Sequence, residues 1–204
     1  MDYIVMPLYD EAFHMSIEKE ERPQAQRLAD YIQTYIKPSA FYDFGCSSGL
    51  YLREIKARLP LIESKGFEFS KEAVDRALCG DVIQMDLTEP LTLTKPPNTL
   101  GLCLEVLEHI PDEHHGAVLS NLTKGCDTLI FSAALPGQGG TGHINCRPRI
   151  DWISRFHALG WVVDVDATQH LVAFIVKGLH MGWLRENVMV FVPAGRLGYH
   201  HRHY

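Results

Sequence analysis

Phe41-Tyr42-Asp43-Phe44-Gly45-Cys46-Ser47-Ser48-Gly49 is an apolar run that breaks into a glycine-serine turn. Leu50–Arg58, immediately behind it, has the pattern of a helix. Glycine at such a turn tolerates positive φ and lets backbone come close to a ligand. A strand, a Gly-rich turn and a helix together open a βαβ unit, and such units bind ligands at the carboxyl ends of their strands.

Upstream, residues 22–37 read as a helix. Ala25, Leu28, Ala29, Ile32 and Ile36 share one face, Pro23 suits a first turn and Pro38 stops it. Ala40–Phe44 is the first strand. Downstream, Lys65–Phe69, Val82–Asp86, Leu100–Leu104, Thr128–Ser132, Trp161–Val165 and Val188–Val192 read as strands. Helices are expected at about Lys71–Leu78, Asp112–Lys124, Pro148–Leu159 and through most of 167–186, where Gly178 and Gly182 are weak points. The segment Thr88–Asn98, with three prolines, is a loop, as is the glycine-rich Pro136–Gly142. In the helix ending at Gly160, Trp152, Phe156 and Leu159 share a face. Strands alternating with helices imply a largely parallel sheet with helices on both faces. The fold expected is an α/β, three-layer α/β/α sandwich with seven mostly parallel strands, the last two forming an antiparallel edge. One domain over 1–204 is expected, with 1–21 as an N-terminal segment and 195–204 as a mobile tail.

Composition agrees. The 204 residues are 46% hydrophobic and 22% charged, with a net charge of −6, which is a globular balance with material for a sizeable core. Disorder needs fewer apolar residues, and a transmembrane helix needs a long apolar run that the sequence lacks. The start at Met1-Asp2-Tyr3 does not have the pattern of a secretory signal. Five scattered cysteines without a CxxC read as reduced thiols of a cytoplasmic protein. The acidic balance gives no general attraction to nucleic acid, though it leaves room for a local basic patch.

Two further acids extend the turn into a candidate nucleotide site. Glu68 ends the second strand, 23 residues after Gly45, where a carboxylate can accept both hydroxyls of a ribose. Asp86 ends the third strand. A glycine turn or one acid occurs by chance in many chains; their joint order is more specific.

These residues resemble the class I (Rossmann-like) S-adenosylmethionine-dependent methyltransferases over about residues 25–192. Asp43-Phe44-Gly45-Cys46-Ser47-Ser48-Gly49 is similar to their first motif, D-x-G-C-G-x-G, with Ser47 in place of the central glycine. Glu68 matches the ribose acid, and Asp86 in Met85-Asp86-Leu87 the acid near the adenine amino group. Glu105-Val106-Leu107-Glu108-His109 is similar to the common E-V-L-E-H signature. The resemblance implies cofactor contacts from Asp43, Gly45, Cys46, Ser47, Gly49, Glu68, Phe69, Asp86, Leu87 and Glu105. It also implies that the N-terminal segment, Tyr9 included, covers the cofactor. Transfer of a methyl group then requires an acceptor held in line with the sulfonium.

Glu105, Glu108 and His109 are candidate pocket residues. On a helix, positions i, i+3 and i+4 share a face. His143, in the loop after the fifth strand, joins them at the same end of the sheet. His143, His109 and Glu105 are the candidate catalytic residues, with His143 equally a loop-fixing hydrogen bonder. Glu105, Glu108, His109 and His143 form a candidate site for magnesium or manganese, similar to that of small-RNA 3′-end methyltransferases; related E-x-x-E-H segments occur in ubiquinone-pathway O-methyltransferases. His114 and His115 read as part of an exposed helix without a role. His200, His201 and His203 form a metal-trapping cluster on the tail. Gln138, Asn145 and Trp152 are candidate acceptor contacts, with Trp152 placed more naturally in the core.

The leading expectation is O-methylation of a small molecule or sugar. An alternative is a metal-dependent RNA-end 2′-O-methyltransferase, which needs Arg147, Arg149, Arg155, Arg185, Arg196 and Arg202 to form a basic patch. A third is a non-catalytic cofactor-binding or interaction protein on the same fold. No N-P-P-Y-type motif stands after the fourth strand, which argues against methylation of base amines. No membrane association is expected.

Overall fold

The computed structural model describes residues 11–176 and 182–196, with side chains over 18–175 and 182–196. The strands are β1 (Ala40–Phe44), β2 (Glu63–Glu68), β3 (Val82–Gln84), β4 (Thr99–Leu104), β5 (Thr128–Ser132), β6 (Trp161–Val163) and β7 (Met189–Pro193). They form one sheet in the order β3-β2-β1-β4-β5-β7-β6. β1 pairs in parallel with β2 and β4, as do β2 with β3 and β4 with β5. β7 runs antiparallel to both β5 and β6, which gives the expected antiparallel pair at that edge.

The helices are α1 (Glu11–Tyr31), α2 (Leu50–Arg58), α3 (Lys71–Asp75), α4 (His115–Gly125), α5 (Arg149–Ala158), α6 (Val165–Val176) and α7 (Gly182–Asn187). Alternation along the central strands divides the core in two. Phe41, Leu100 and Leu102 face a cluster with Leu28, Leu52 and Leu171 from α1, α2 and α6, and with Ile32 just after α1. Ala40, Tyr42, Phe44 and Cys103 face the opposite cluster, with Leu122, Trp152 and Phe156 from α4 and α5. Trp152 is fully buried, as a core residue. The sheet order reverses between β1 and β4, so a crevice opens at their carboxyl ends.

Several boundaries differ from the sequence reading. α1 starts at Glu11, and Pro23 lies inside it rather than in the first turn. Pro23 is exposed, so water can serve the carbonyl that proline leaves unpaired. The helix closes with a π-helical turn, Ile32–Ile36, and Lys37 at φ +50°. β3 stops at Gln84, which leaves Asp86 in the following turn. β6 stops at Val163 because buried Asp164 caps α6, its Oδ1 accepting from the Ala167 N–H at 2.9 Å. Asp112–His114 form a 3₁₀ turn before α4, and His115, expected on an exposed face, is 0% exposed. Gly195 and Arg196, assigned to the tail, belong to a 3₁₀ turn, where Arg196 Nη1 donates to the Asp127 carbonyl at 3.4 Å. The rest of the tail, with His200, His201 and His203, lies outside the described residues, as does Tyr9. No described helix is long and apolar enough to cross a membrane, and all five cysteines are free.

Candidate functional site

The turn after β1 is built on left-handed backbone. Gly45 and Gly49 both have φ +79° and Ser47 has φ +48°. A Cβ on Gly45 would meet Val106 Cγ2 at 2.5 Å, so glycine lets the turn and the segment after β4 touch. Ser47, where the related motif has glycine, keeps the turn; its N–H donates to Glu68 Oε2 at 2.8 Å. Glu68 Oε1 accepts from the Ser70 N–H, also at 2.8 Å. Glu68 is thus held at the end of β2 against the turn. Cys46 is buried with its sulfur beside Gly66, and burial pushes its thiol up.

Asp43 is 3% exposed, and its Oδ2 has no hydrogen-bond partner. Burial raises its pKa well above the carboxylate range, and the charges of Glu68 and Glu21 add to this. Glu21 comes from α1. Its neighbours on that face are Glu18, whose Oε1 accepts from Ser48 Oγ at 2.7 Å, and Gln24, whose Nε2 donates to Tyr51 Oη at 2.6 Å. Among the described residues, no basic side chain pairs with Asp43, Glu68, Glu21 or Glu105. Phe69 is 51% exposed and Leu87 is buried. Asp86 Oδ1 accepts from the Thr88 N–H at 2.8 Å and its hydroxyl at 2.7 Å.

The second half of the site lies beyond β4 and β5. Glu105, Glu108 and His109 do not share a helix face, because only Leu107–His109 forms a single 3₁₀ turn. Glu105 precedes it with φ +52°, a strained conformation for a non-glycine residue. Its carboxylate accepts from Asn187 Nδ2 at 3.2 and 3.3 Å. Asn187 exchanges amide hydrogen bonds with Gln138, at 3.1 and 2.9 Å.

Glu108, His109 and His143 converge, with one potential ligand atom from each all within 4.8 Å of one another. Two donors about 2.1 Å from one cation stand no more than about 4.2 Å apart, so modest side-chain rotation closes the set. Glu108 is fully buried; its Oε1 accepts from the Ala134 N–H at 3.2 Å and its Oε2 has no partner. Burial and the Glu105 charge push its pKa up to about 8. His109 Nδ1 lies 3.2 Å from the Gly142 carbonyl, and His143 Nδ1 lies 3.3 Å from the Gln138 carbonyl. A carbonyl only accepts, so each ring carries its proton on Nδ1 and presents the Nε2 lone pair. His143 Nε2 is 4.0 Å from Glu108 Oε1. Burial lowers the His109 pKa, with a further contribution from His143.

The sequence reading missed three residues here. Glu21 sits in line with Ala25 and Leu28, so a carboxylate on the apolar stripe was its available signal. Asn187 carries none, since only the sheet order brings it to Glu105. His115 Nε2 lies 3.0 Å from the carbonyls of both Leu107 and Ile110, the residues bracketing Glu108 and His109. The nearby Asn145 Nδ2 donates to Ile110 O at 3.2 Å, which ties the His143 loop to the same turn.

Neither a family model nor a curated protein matches the sequence. Solved structures do match the fold. DesVI of Streptomyces venezuelae superposes with a TM-score of 0.67 at 14% identity, covering 90% of this chain and 96% of that one. CalS10 of Micromonospora echinaspora, an amino pentose methyltransferase solved with SAM, gives 0.66 at 15%, covering 95% and 99%. The O-methyltransferase of a trans-AT PKS multienzyme of Brevibacillus brevis, solved with S-adenosyl-L-homocysteine, gives 0.62 at 14%, covering 94% and 80%. The chain therefore has the Rossmann-like fold found in these S-adenosylmethionine-dependent methyltransferases, over nearly its whole length.

Proposed function

We propose that the chain is an S-adenosylmethionine-dependent O-methyltransferase of a small-molecule or sugar hydroxyl, assisted by a divalent cation. The observation that carries the reading is the joint placement at one sheet edge of two unlike halves. One is an acidic pocket without a basic partner, around Asp43 and Glu68. The other is a buried carboxylate facing two imidazoles with their Nε2 lone pairs free. The residues present fit the cofactor, because the orphaned Asp43 oxygen is the kind of buried acceptor that a cationic amino-acid end satisfies. Glu68 is set to accept the ribose hydroxyls while the Ser47 and Ser70 N–H groups hold it. When bound, S-adenosylmethionine supplies an electrophilic methyl group: the acceptor oxygen bonds to its carbon, the carbon–sulfur bond breaks, and its electron pair stays on sulfur.

Glu108, His109 and His143 would hold the cation, with Glu105 within reach after it releases Asn187. Held there, a cation would supply Lewis acidity that eases loss of the acceptor hydroxyl's proton. Two imidazoles and carboxylate oxygens suit manganese or another first-row ion better than an all-oxygen site would. The hydroxyl proton must leave during transfer; with the His109 and His143 Nε2 lone pairs on the cation it passes to water, and His143 would receive it only in a cation-free site. The likeness to CalS10, an amino pentose methyltransferase, supports a sugar acceptor.

RNA-end methylation shares this cation chemistry, but three of the six arginines expected to form a patch are paired with acids. Arg147 and Arg155 both bind Asp112, at 2.8 and 2.9 Å, and Arg185 pairs with Glu186. The test is a methyl-transfer assay with chelated and manganese-loaded protein, run against sugar hydroxyls, catechols and an RNA oligonucleotide with a free 3′ diol. Manganese-dependent methylation of a sugar or catechol supports the proposal. Methylation of RNA alone moves it to the RNA-end reading. Methyl transfer unaffected by chelation removes the cation.

A further inference from the structure

We infer that Glu21 receives the α-ammonium group of S-adenosylmethionine, so that helix α1 selects ligands bearing an amino-acid tail. The inference rests on the cofactor reading above and extends it to a residue outside the family-like motifs.

The argument starts from helix spacing. Glu18, Glu21 and Gln24 recur every three residues and so share a face of α1. The outer two are anchored, Glu18 to Ser48 and Gln24 to Tyr51. Glu21 therefore hangs over residues 48–51, where the turn passes into α2. The Tyr51 hydroxyl, which accepts from Gln24, hydrogen-bonds Glu21 in turn. That relay fixes the carboxylate and leaves it with acceptor capacity toward the pocket.

Its electrostatic neighbours locate it further. Glu105, beyond β4, is the charge that acts most strongly on Glu21. Asp43 feels Glu68 and Glu21 together. Asp43 therefore lies close to both the ribose acid at the end of β2 and Glu21 of α1. A ligand whose ribose engages Glu68 would have its other end near the Asp43 and Glu21 carboxyls. Asp43 is buried and Glu21 half-buried, and carboxylates so placed with no basic partner call for a cation. Burial and this crowding push Glu21 up to about 7, as expected of an acid whose counter-ion is a ligand. An ammonium group, with three donors, can serve Glu21 and the orphaned Asp43 Oδ2 at once.

The test is calorimetric titration of the full chain and of Glu21→Gln with three ligands: S-adenosylmethionine, S-adenosylhomocysteine and 5′-methylthioadenosine. The first two carry the ammonium; the third lacks the amino-acid tail. The expected result is a loss of about tenfold or more for the first two, the scale of one charge-assisted hydrogen bond, with the third unchanged. Glu18→Gln is the control for α1 docking and is expected to change all three affinities by a common factor. Equal weakening of all three ligands by Glu21→Gln overturns the inference in favour of a helix-docking role. Weakening of S-adenosylmethionine alone overturns it in favour of contact with the sulfonium, and no change overturns it outright. If the unaltered chain binds neither S-adenosyl ligand, the cofactor reading falls first, and that outcome is distinct from the others.

Discussion

Adding manganese to the chelator-treated protein should raise its thermal midpoint, and Glu108→Gln should abolish the rise. The magnitude follows from linkage. A ligand at a hundred times its dissociation constant stabilises the folded state by about 2.7 kcal/mol. For a chain of this size each kcal/mol moves the midpoint by roughly 2–4 °C, so a rise of about 5–10 °C is expected at pH 7.5. The effect depends on pH through Glu108. Its folded pKa is raised to about 8 from an ordinary 4.5, so the metal-free folded state keeps a proton that the unfolded chain has lost. Stability without metal therefore falls as pH rises from about 4.5 toward about 8, by at most about 1.4 kcal/mol per pH unit. The cation must displace that proton, so its affinity grows over the upper part of the same window and levels off above it. His109, held below its usual range by burial, offers little competition near pH 7. Differential scanning fluorimetry between pH 5.5 and 8.5, with and without manganese, reads all of this. In Glu108→Gln the metal-free slope should flatten and the manganese response vanish. An equal manganese shift in Glu108→Gln would place the ion elsewhere, for instance on the histidines at 200–203, and no shift in the unaltered chain would refute the cation assignment.

Glu68→Ala should weaken S-adenosylmethionine binding by about 2 kcal/mol or more, because it removes the ribose acceptor and frees the Ser47 and Ser70 N–H groups; calorimetry measures it. Asp43→Asn should stabilise the ligand-free protein at neutral and higher pH, since the buried carboxyl has a raised pKa and its ionisation costs stability as pH rises, while cofactor affinity drops; paired melting and titration experiments check both. His115→Leu should cost about 2–4 kcal/mol in denaturant unfolding, because the Leu107 and Ile110 carbonyls lose their shared imidazole donor. His115→Gln, which can place an amide N–H near the Nε2 position, should recover part of the loss.

The topology was legible because its signals are local. Ala40–Phe44 ends at a glycine turn, and the buried strands β4 and β5 are unbroken apolar runs, so their limits fell within a residue of those observed. Boundaries moved where side-chain capping or context intervened, as at Asp164 and inside α1 at Pro23. In the site, the grouping of Glu108, His109 and His143 survived although the helix assumed for it did not. The route differs: a 3₁₀ turn presents Glu108 and His109, and the loop after β5 carries His143 to them. Glu105 was expected to join by helical spacing, yet its positive φ turns it to Asn187. Periodicity cannot anticipate a left-handed residue at a strand end. Nor can it anticipate His115, whose burial depends on carbonyls contributed by the preceding turn.

Calorimetric titration of the purified chain with S-adenosylmethionine and S-adenosylhomocysteine tests the proposed cofactor site most directly. Micromolar binding of both, lost in Glu68→Ala, is the result predicted from the acidic pocket at the β1 turn. Absence of binding by either ligand, in a folded protein and with manganese present, would contradict it and leave a methyltransferase-like fold without the cofactor.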